Sequence, residues 1–377
     1  MRPMSKTFTY AGGFLCRAAA LLILVNVYSL SAAPAVHDET HRSVRAVMAL
    51  QKALTDDVLQ WPDILGTAVG VNDSGVPDLV VYVDAEGSTP PALVQAVLLQ
   101  YLSIPTRPEL SEKFVAYKGP PGGSGSQGTS HTAFQVPPIQ LGTSGSWRFD
   151  LANGYCCGGT LGSLIQVNGI QYIMSNYHVF ESDIASGGNS LVATTGSPVT
   201  QPGLIDVGCN AGNAQNIGTL VKLSSLPASN VDVSVALATS GAVRSDGAIL
   251  EIGTLSSQTV APFLNQAVKK SGRTTGLSRS QINGLNATIS IQYENECAGS
   301  PSFVKVFTGQ IVIANRRSGF LDSGDSGSLM VEDIATRPRA VGLLFAGSST
   351  TAIANPIGQV LQFVGAQLGG VATMVGQ

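Results

Sequence analysis

From about residue 136 to 365, short runs of Val, Ile, Leu and Thr are broken repeatedly by Gly, Asn, Ser and Pro. Many short apolar segments separated by turn residues predict an all-β sandwich or barrel. One hairpin can be drawn directly: apolar runs at 160–167 and 170–175 flank Asn168-Gly169, the pair that a type I′ turn demands. It ends just before His178. Near the C-terminus, Ile357, Val360, Leu361, Val364 and Leu368 fall on one face of a predicted helix over 356–368.

The pattern differs upstream. Val44, Met48, Leu50, Leu54 and Leu59 recur at roughly helical spacing until Trp61-Pro62 stops the helix. Strands are expected at 66–71 and 79–83, joined by a turn-rich segment, and a second helix over 91–101 places Leu93, Val97 and Leu98 on one face. Residues 119–135 open with a Gly/Ser/Pro-rich stretch that can bury almost nothing and reads as a linker. Residues 36–118 are therefore expected to form a small α/β domain separate from the rest, either pro-region-like or accessory, with the main domain at 136–377.

Charge narrows the function classes. Only 12% of residues are charged and the formal net charge is −3, so no electrostatic footprint invites nucleic acid. The first 35 residues carry Arg2, Lys6 and Arg17, an apolar run at 18–28 and small residues through Ala33 and Ala35. This is the pattern of a cleaved signal peptide, and it predicts a periplasmic or extracellular protein; an uncleaved membrane anchor is the alternative. Removing the signal removes Cys16 and leaves Cys156, Cys157, Cys209 and Cys297. Adjacent Cys156 and Cys157 are unsuited to pair with each other, so each would pair with Cys209 or Cys297, in either combination, with free thiols as the alternative. No C-x-x-C spacing or His/Cys cluster occurs, and no metal or other cofactor is expected.

The strongest chemical signal is Ser323-Gly-Asp-Ser-Gly-Ser328, followed at once by an apolar run. A nucleophilic serine needs a tight turn that exposes its hydroxyl and aims backbone N–H groups at a developing oxyanion. Ser326 is the candidate nucleophile, with the N–H groups of Gly324 and Ser326 as oxyanion donors. Of the four histidines, only His178 lies inside the predicted β region, so it is the candidate base. Asp232 stands in the otherwise apolar Asn230-Val-Asp-Val-Ser-Val-Ala-Leu237, where an unpaired carboxylate would cost several kcal/mol. That makes it the favoured orienting acid over Asp206. An α/β-hydrolase elbow is excluded, because it wants glycine where Ser328 stands and orders its triad serine, acid, histidine.

Cys157-Gly-Gly-Thr-Leu161, Ser175-Asn-Tyr-His-Val179, Asp232-Val-Ser-Val-Ala-Leu237, Gly272-Arg-Thr-Thr-Gly276 and Gly324-Asp-Ser-Gly-Ser328 follow one another in the order of the trypsin-like (chymotrypsin) serine peptidases. The resemblance covers roughly residues 150–365. Together with Val341-Gly-Leu-Leu-Phe-Ala-Gly347 and Ile353-Ala-Asn-Pro-Ile357 it is most similar to the bacterial relatives of the plant narrow-leaf trypsin-like proteins. It implies a double six-stranded β-barrel, and the apolar face of the C-terminal helix is expected to pack on the second barrel. His178 and Asp232 would come from the first barrel and Ser326 from the second. It also implies that Phe345, Ala346 and Gly347 form the substrate-binding strand and that Phe320 floors the side-chain pocket, which would favour uncharged apolar residues.

Three departures from the family pattern matter. Val179 stands where a cysteine often follows the histidine, so Cys157 cannot make that disulfide. No Ile-Val-Gly-Gly start precedes the barrels, so Asp325 should be paired by a fixed base, Lys270 or Arg273, and not by a new N-terminus. Phe345 replaces the serine that would support the acid. The sequence thus points to a serine endopeptidase acting on polypeptides through an acyl-enzyme, with an inactive polypeptide-binding module of the same fold as the alternative.

Overall fold

The computed structural model describes residues 37–101, 105–116, 130–152, 155–181, 193–293, 303–315 and 319–377. The expected signal peptide, Cys297 and residues 119–129 of the linker lie outside them. The N-terminal part contains α1 (Arg42–Val58), β1 (Ile64–Val71), β2 (Pro77–Asp84), α2 (Pro91–Tyr101), β3 (Thr106–Ser111) and β4 (Phe114–Ala116). Next come β5 (Thr143–Trp147), β6 (Leu151–Ala152), β7 (Tyr155–Cys156), β8 (Gly159–Leu161), β9 (Ser163–Val167) and β10 (Ile170–Ser175). They are followed by the short α3 (Tyr177–Phe180), β11 (Pro198–Gln201), β12 (Gln215–Val221) and β13 (Ser234–Ala238). The last third holds β14 (Ala267–Gly272), β15 (Gly276–Tyr293), β16 (Phe303–Ala314), β17 (Leu329–Glu332), β18 (Ala340–Gly347), β19 (Thr351–Pro356), α4 (Ile357–Leu368) and β20 (Ala372–Met374).

The strand pairings close two barrels. In the first, β5 pairs β11, and the path runs through β12, β13 and β10 to β9. Gly162 alone separates β9 from β8, which returns to β5, so these two segments are one bent strand and the ring has six members. In the second, the order β14-β17-β18-β19-β16-β15 is closed by the pairing of β14 with β15, again six strands. The hairpin at Asn168-Gly169 forms as expected, with both residues at positive φ. α4 also forms, but Ile357, Val360 and Val364 join the core that is otherwise mostly first-barrel residues. β20 then pairs β9 of that barrel, so the C-terminus ties the barrels together instead of capping the second alone.

The N-terminal part is not separate in the way its composition suggests. β1 pairs antiparallel with β15, so β1, β2 and β3 extend the sheet of the second barrel. Val44, Val47 and Val58 of α1 share one buried cluster with Phe320, Met330 and Leu344. The buried face of α1 also differs from the expected one: it comprises Val44, Val47, Gln51, Thr55 and Val58, with Met48 and Leu54 at its margin. Gln51 and Thr55 can be buried because their polar atoms are satisfied. Gln51 Nε2 donates to Thr67 O at 3.1 Å and Asn286 O at 2.8 Å, and the Thr55 and Thr67 hydroxyls are 2.8 Å apart. On α2, Leu93 is 55% exposed and its neighbour Val94 is buried, while the side chains of Val97 and Leu98 lie outside the description.

Candidate active site

β10 carries the chain into the first barrel's interior, and α3 follows directly, so His178 is fixed within a buried four-residue helix. Asp232 lies just before β13 between Val231 and Val233, and is fully buried. Its carboxylate is not alone there. His178 Nδ1 is 2.6 Å from Asp232 Oδ2, and Tyr177 N–H donates to Oδ1 at 2.7 Å. The Tyr293 hydroxyl donates to Oδ2 at 2.9 Å. Burial, and then the neighbouring carboxylate, push the Tyr293 phenol well above the ordinary tyrosine value, which keeps it a proton donor. The loop is pinned as well: Asp232 N–H donates to Asn355 Oδ1 at 2.9 Å, and Asn176 Nδ2 donates to Asp232 O at 2.7 Å.

With Nδ1–H given to the carboxylate, Nε2 holds a lone pair. That atom is buried and has no hydrogen-bond partner among the described residues. Ser326 occupies the turn before β17, and its Oγ is 3.4 Å from Phe345 O. First-barrel backbone holds this turn beside α3. Thr160 N–H donates to Ser326 O at 2.8 Å, Thr160 Oγ1 to Gly324 O at 3.0 Å, and a side chain at Gly159 would strike both Val179 and Ser326 O. His178 and Ser326 are each 4% exposed.

The turn has left-handed backbone at Gly324 and Gly327, with φ of 94° and 91°. Gly327 is required twice over, since a Cβ there would also lie 2.2 Å from Ser175 Oγ and 2.4 Å from Thr160 O. Asp325, Gly327 and Ser328 spend their N–H groups on Asp322 O, Leu344 O and Asp325 O. The Gly324 N–H makes no such bond among the described residues.

Buried ions hold the turn from beneath. Lys270 Nζ lies 3.0 Å from Asp325 Oδ2, both side chains fully buried, so of the two bases expected to pair with Asp325 it is Lys270 that does so. Burial draws the Lys270 ammonium below its ordinary value, and the Asp325 charge opposes that shift. Asp325 also accepts from Thr274 N, Thr275 N, Thr275 Oγ1 and Asp322 N. Arg273 has a different partner. Its Nε and Nη2 each lie 2.7 Å from an oxygen of Asp206, which also accepts from Ser144 Oγ at 2.5 Å. Asp206, the rival for the orienting acid, is thus engaged away from His178.

Phe320, Phe345 and Ala346 are buried to 1% or less, Phe320 in one apolar cluster and the other two in another. Phe320 O accepts from Ser278 Oγ at 2.9 Å. Gly347 is paired on both edges, with Ala352 and with Val115. Tyr293, Asn355 and Thr160 have no place in the expectations from sequence. Asn355 and Thr160 fall inside the quoted motifs, which gave them no role; Tyr293 carried no signal at all. Cys156 is disulfide-bonded to Cys209, and Cys157 is disulfide-bonded too. No group of His, Cys, Asp and Glu able to hold a metal ion occurs among the described residues.

No family model matches the chain. No curated protein matches either. Among solved structures it is similar to a glutamic acid specific serine protease, with 16% identity and a TM-score of 0.39 over 63% of this chain and 100% of that one. Protease A of Thermobifida fusca matches with 17% identity and a TM-score of 0.41 over 63% and 99%. A chymotrypsin of Cellulomonas bogoriensis matches with 19% identity and a TM-score of 0.37 over 63% and 99%.

Proposed function

We propose that the chain is a serine endopeptidase, with Ser326 as nucleophile, His178 as general base and Asp232 as orienting acid. The observation that carries this reading is the buried Asp232–His178 pair, whose Nε2 is left without a partner among the described residues. Such an imidazole can take the Ser326 proton as Oγ attacks a peptide carbonyl, then return it to the leaving amine. Water, deprotonated by the same nitrogen, hydrolyses the acyl-enzyme to a carboxylic acid and frees Ser326. The N–H groups of Gly324 and Ser326 are the proposed donors to the oxyanion. Phe320, Phe345, Ala346 and Gly347 are the proposed substrate contacts. No carboxylate belongs to that set, so lysine or arginine side chains would bury a charge there unpaired, and uncharged apolar residues are preferred.

Export to an oxidising compartment is part of the same reading. Its supports are the disulfide state of Cys156, Cys157 and Cys209, and the apolar, positively flanked N-terminus. The competing reading is a polypeptide-binding module without turnover. It is favoured by the low exposure of His178 and Ser326 and by the turn of Ser326 Oγ toward Phe345 O.

Prolonged reaction with a fluorophosphonate probe separates the two. The hydrolase reading expects labelling of the wild-type chain and none in Ser326→Ala or His178→Ala, both with unchanged circular dichroism. Labelling that survives Ser326→Ala would sink the assignment of the nucleophile. An unlabelled wild-type chain would favour the binding module.

A further inference from the structure

The edge of β18 beside Ser326 is occupied by the chain itself. β19 pairs one edge of β18 along its length, while β17 covers the other edge only as far as Leu343. Beyond that point the second edge carries the turn of Ser326: Gly327 N–H donates to Leu344 O at 3.0 Å, Leu344 N–H to Ser328 O at 3.0 Å, and Ser326 Oγ faces Phe345 O. Phe345 to Gly347 would thus present an unpaired row of backbone groups running away from the nucleophile, which is the place where an extended peptide adds as a strand. β4 takes it: Val115 pairs antiparallel with Gly347.

The placement of β4 is built, not incidental. On its other side it runs parallel to β15, with Phe114, Val115 and Ala116 opposite Ile291, Gln292 and Tyr293, the last being the residue that donates to Asp232. Phe114 and Ala116 are 1% and 3% exposed and lie in one cluster with Tyr177, Phe345 and Ala346. Phe114 packs edge-on against Tyr82 at 5.5 Å. The link from β3 is fastened to the β18–β19 turn, with Ser111 and Ser348 hydroxyls 3.1 Å apart and Ser349 N–H donating to Glu112 Oε2 at 3.2 Å.

We propose that β4 is an internal occupant of the substrate strand's place, so that the intact chain holds its own active site in an inhibited state. Antiparallel pairing fixes the direction of any polypeptide on that edge. A strand continuing the register of Val115 on Gly347 reaches Phe345, and with it Ser326, two residues toward its C-terminus. The occupant also states the preference of the edge: an aliphatic residue opposite Gly347, then a small one, as in Val115-Ala116. A substrate must displace only the three residues of β4, while β1 stays paired with β15. This inference rests on the reading of Ser326 as the nucleophile only for its inhibitory consequence; the occupied edge is independent of turnover.

The test therefore reads binding first. A fluorescent peptide copying residues 114–118, Phe-Val-Ala-Tyr-Lys, is titrated by anisotropy against the full chain carrying Ser326→Ala. It is also titrated against that chain with Val115→Pro, which removes the strand's N–H, or with Ala116→Asp, which puts a carboxylate into the apolar cluster. Each added substitution that retains a cooperative melt should raise peptide affinity at least tenfold. Equal affinities, or micromolar binding to the chain with β4 unaltered, would overturn the proposal. With Ser326 restored, the opened chains should react with fluorophosphonate at least tenfold faster than wild type. Peptide binding without labelling of any opened chain would instead refute the hydrolase reading and leave the occupied edge standing.

Discussion

The two barrels stabilise their shares of the site by opposite means. In the first barrel, Asp232 is surrounded by neutral donors: the Tyr177 amide, the Tyr293 phenol and the imidazole it orients. In the second, Asp325 sits against the full charge of Lys270. The difference follows from what each carboxylate has to do. On the proposed reading, Asp232 must keep its field for an imidazolium that exists only during reaction, and a permanent cation beside it would cancel that field. Asp325 has no partner to charge and only has to hold the turn of Ser326, so a fixed counter-ion serves it. Each barrel also reaches across to the other. Tyr293 and Asn355 come from the second barrel to Asp232, and Thr160 and Asp206 from the first to the turn and to Arg273.

The sharpest way to break this contrast is to remove the charge that acts in the reaction. Asp232→Asn keeps the shape and most donors' geometry but leaves the imidazole in the wrong tautomer, so the rate of fluorophosphonate inactivation should fall by about 10⁴-fold. Asp206→Asn, which loosens Arg273 without touching His178, should change that rate by less than about tenfold. If Asp206→Asn were the more damaging substitution, the assignment of the acid would be wrong.

The structural charge should answer in stability, not in chemistry. Lys270→Met leaves Asp325 buried without its cation, and breaking such a pair costs about 3–5 kcal/mol of unfolding free energy. Urea unfolding of Lys270→Met alone and combined with Asp325→Asn checks this. The double variant should recover part of the loss, because no charge then remains buried alone. A Lys270→Met chain as stable as wild type would show that the backbone amides and hydroxyl around Asp325 suffice.

Much of this division was legible in the sequence, and what was not shares one physical cause. His178 and Ser326 stood out because nucleophilic chemistry restricts residue type and because only one histidine lay among the predicted strands. Asp232 stood out because an apolar context makes a lone carboxylate costly, whereas Lys270 was only one of two bases, with Arg273, that the resemblance offered to Asp325. Tyr293, by contrast, donates to a residue 61 positions away, across a barrel boundary that no local pattern encodes. The attachment of β1 to β15 and the lodging of β4 on β18 are backbone pairings, which leave little trace in side-chain composition. The linker's Gly/Ser content is silent about the sheet on either side of it. The face of α1 was misread because Gln51 and Thr55 are polar by type and buried by partnership.

Tyr293 offers the finest test of the contrast between the barrels, since its hydroxyl is a positioning group that acts through Asp232 while its ring packs edge-on against His178. Phenylalanine keeps its ring in the cluster with Phe114 and Phe345 and removes only the hydroxyl. A hydrogen bond to a charged acceptor contributes about 1.5–3 kcal/mol, and losing it loosens the carboxylate that orients the imidazole; a firmer hold on the imidazolium partly offsets this, so inactivation should slow by no more than roughly tenfold. The direction of the pH dependence is more telling than the size. A carboxylate with one donor fewer holds an imidazolium more tightly, so the acidic limb of the rate profile should move to higher pH in Tyr293→Phe. A merely structural role would lower the melting temperature and leave that limb where it was. An unmoved limb with a slowed rate would therefore show that the phenol packs the site together without tuning the acid, and that Asp232 is served by Tyr177 N–H and His178 alone.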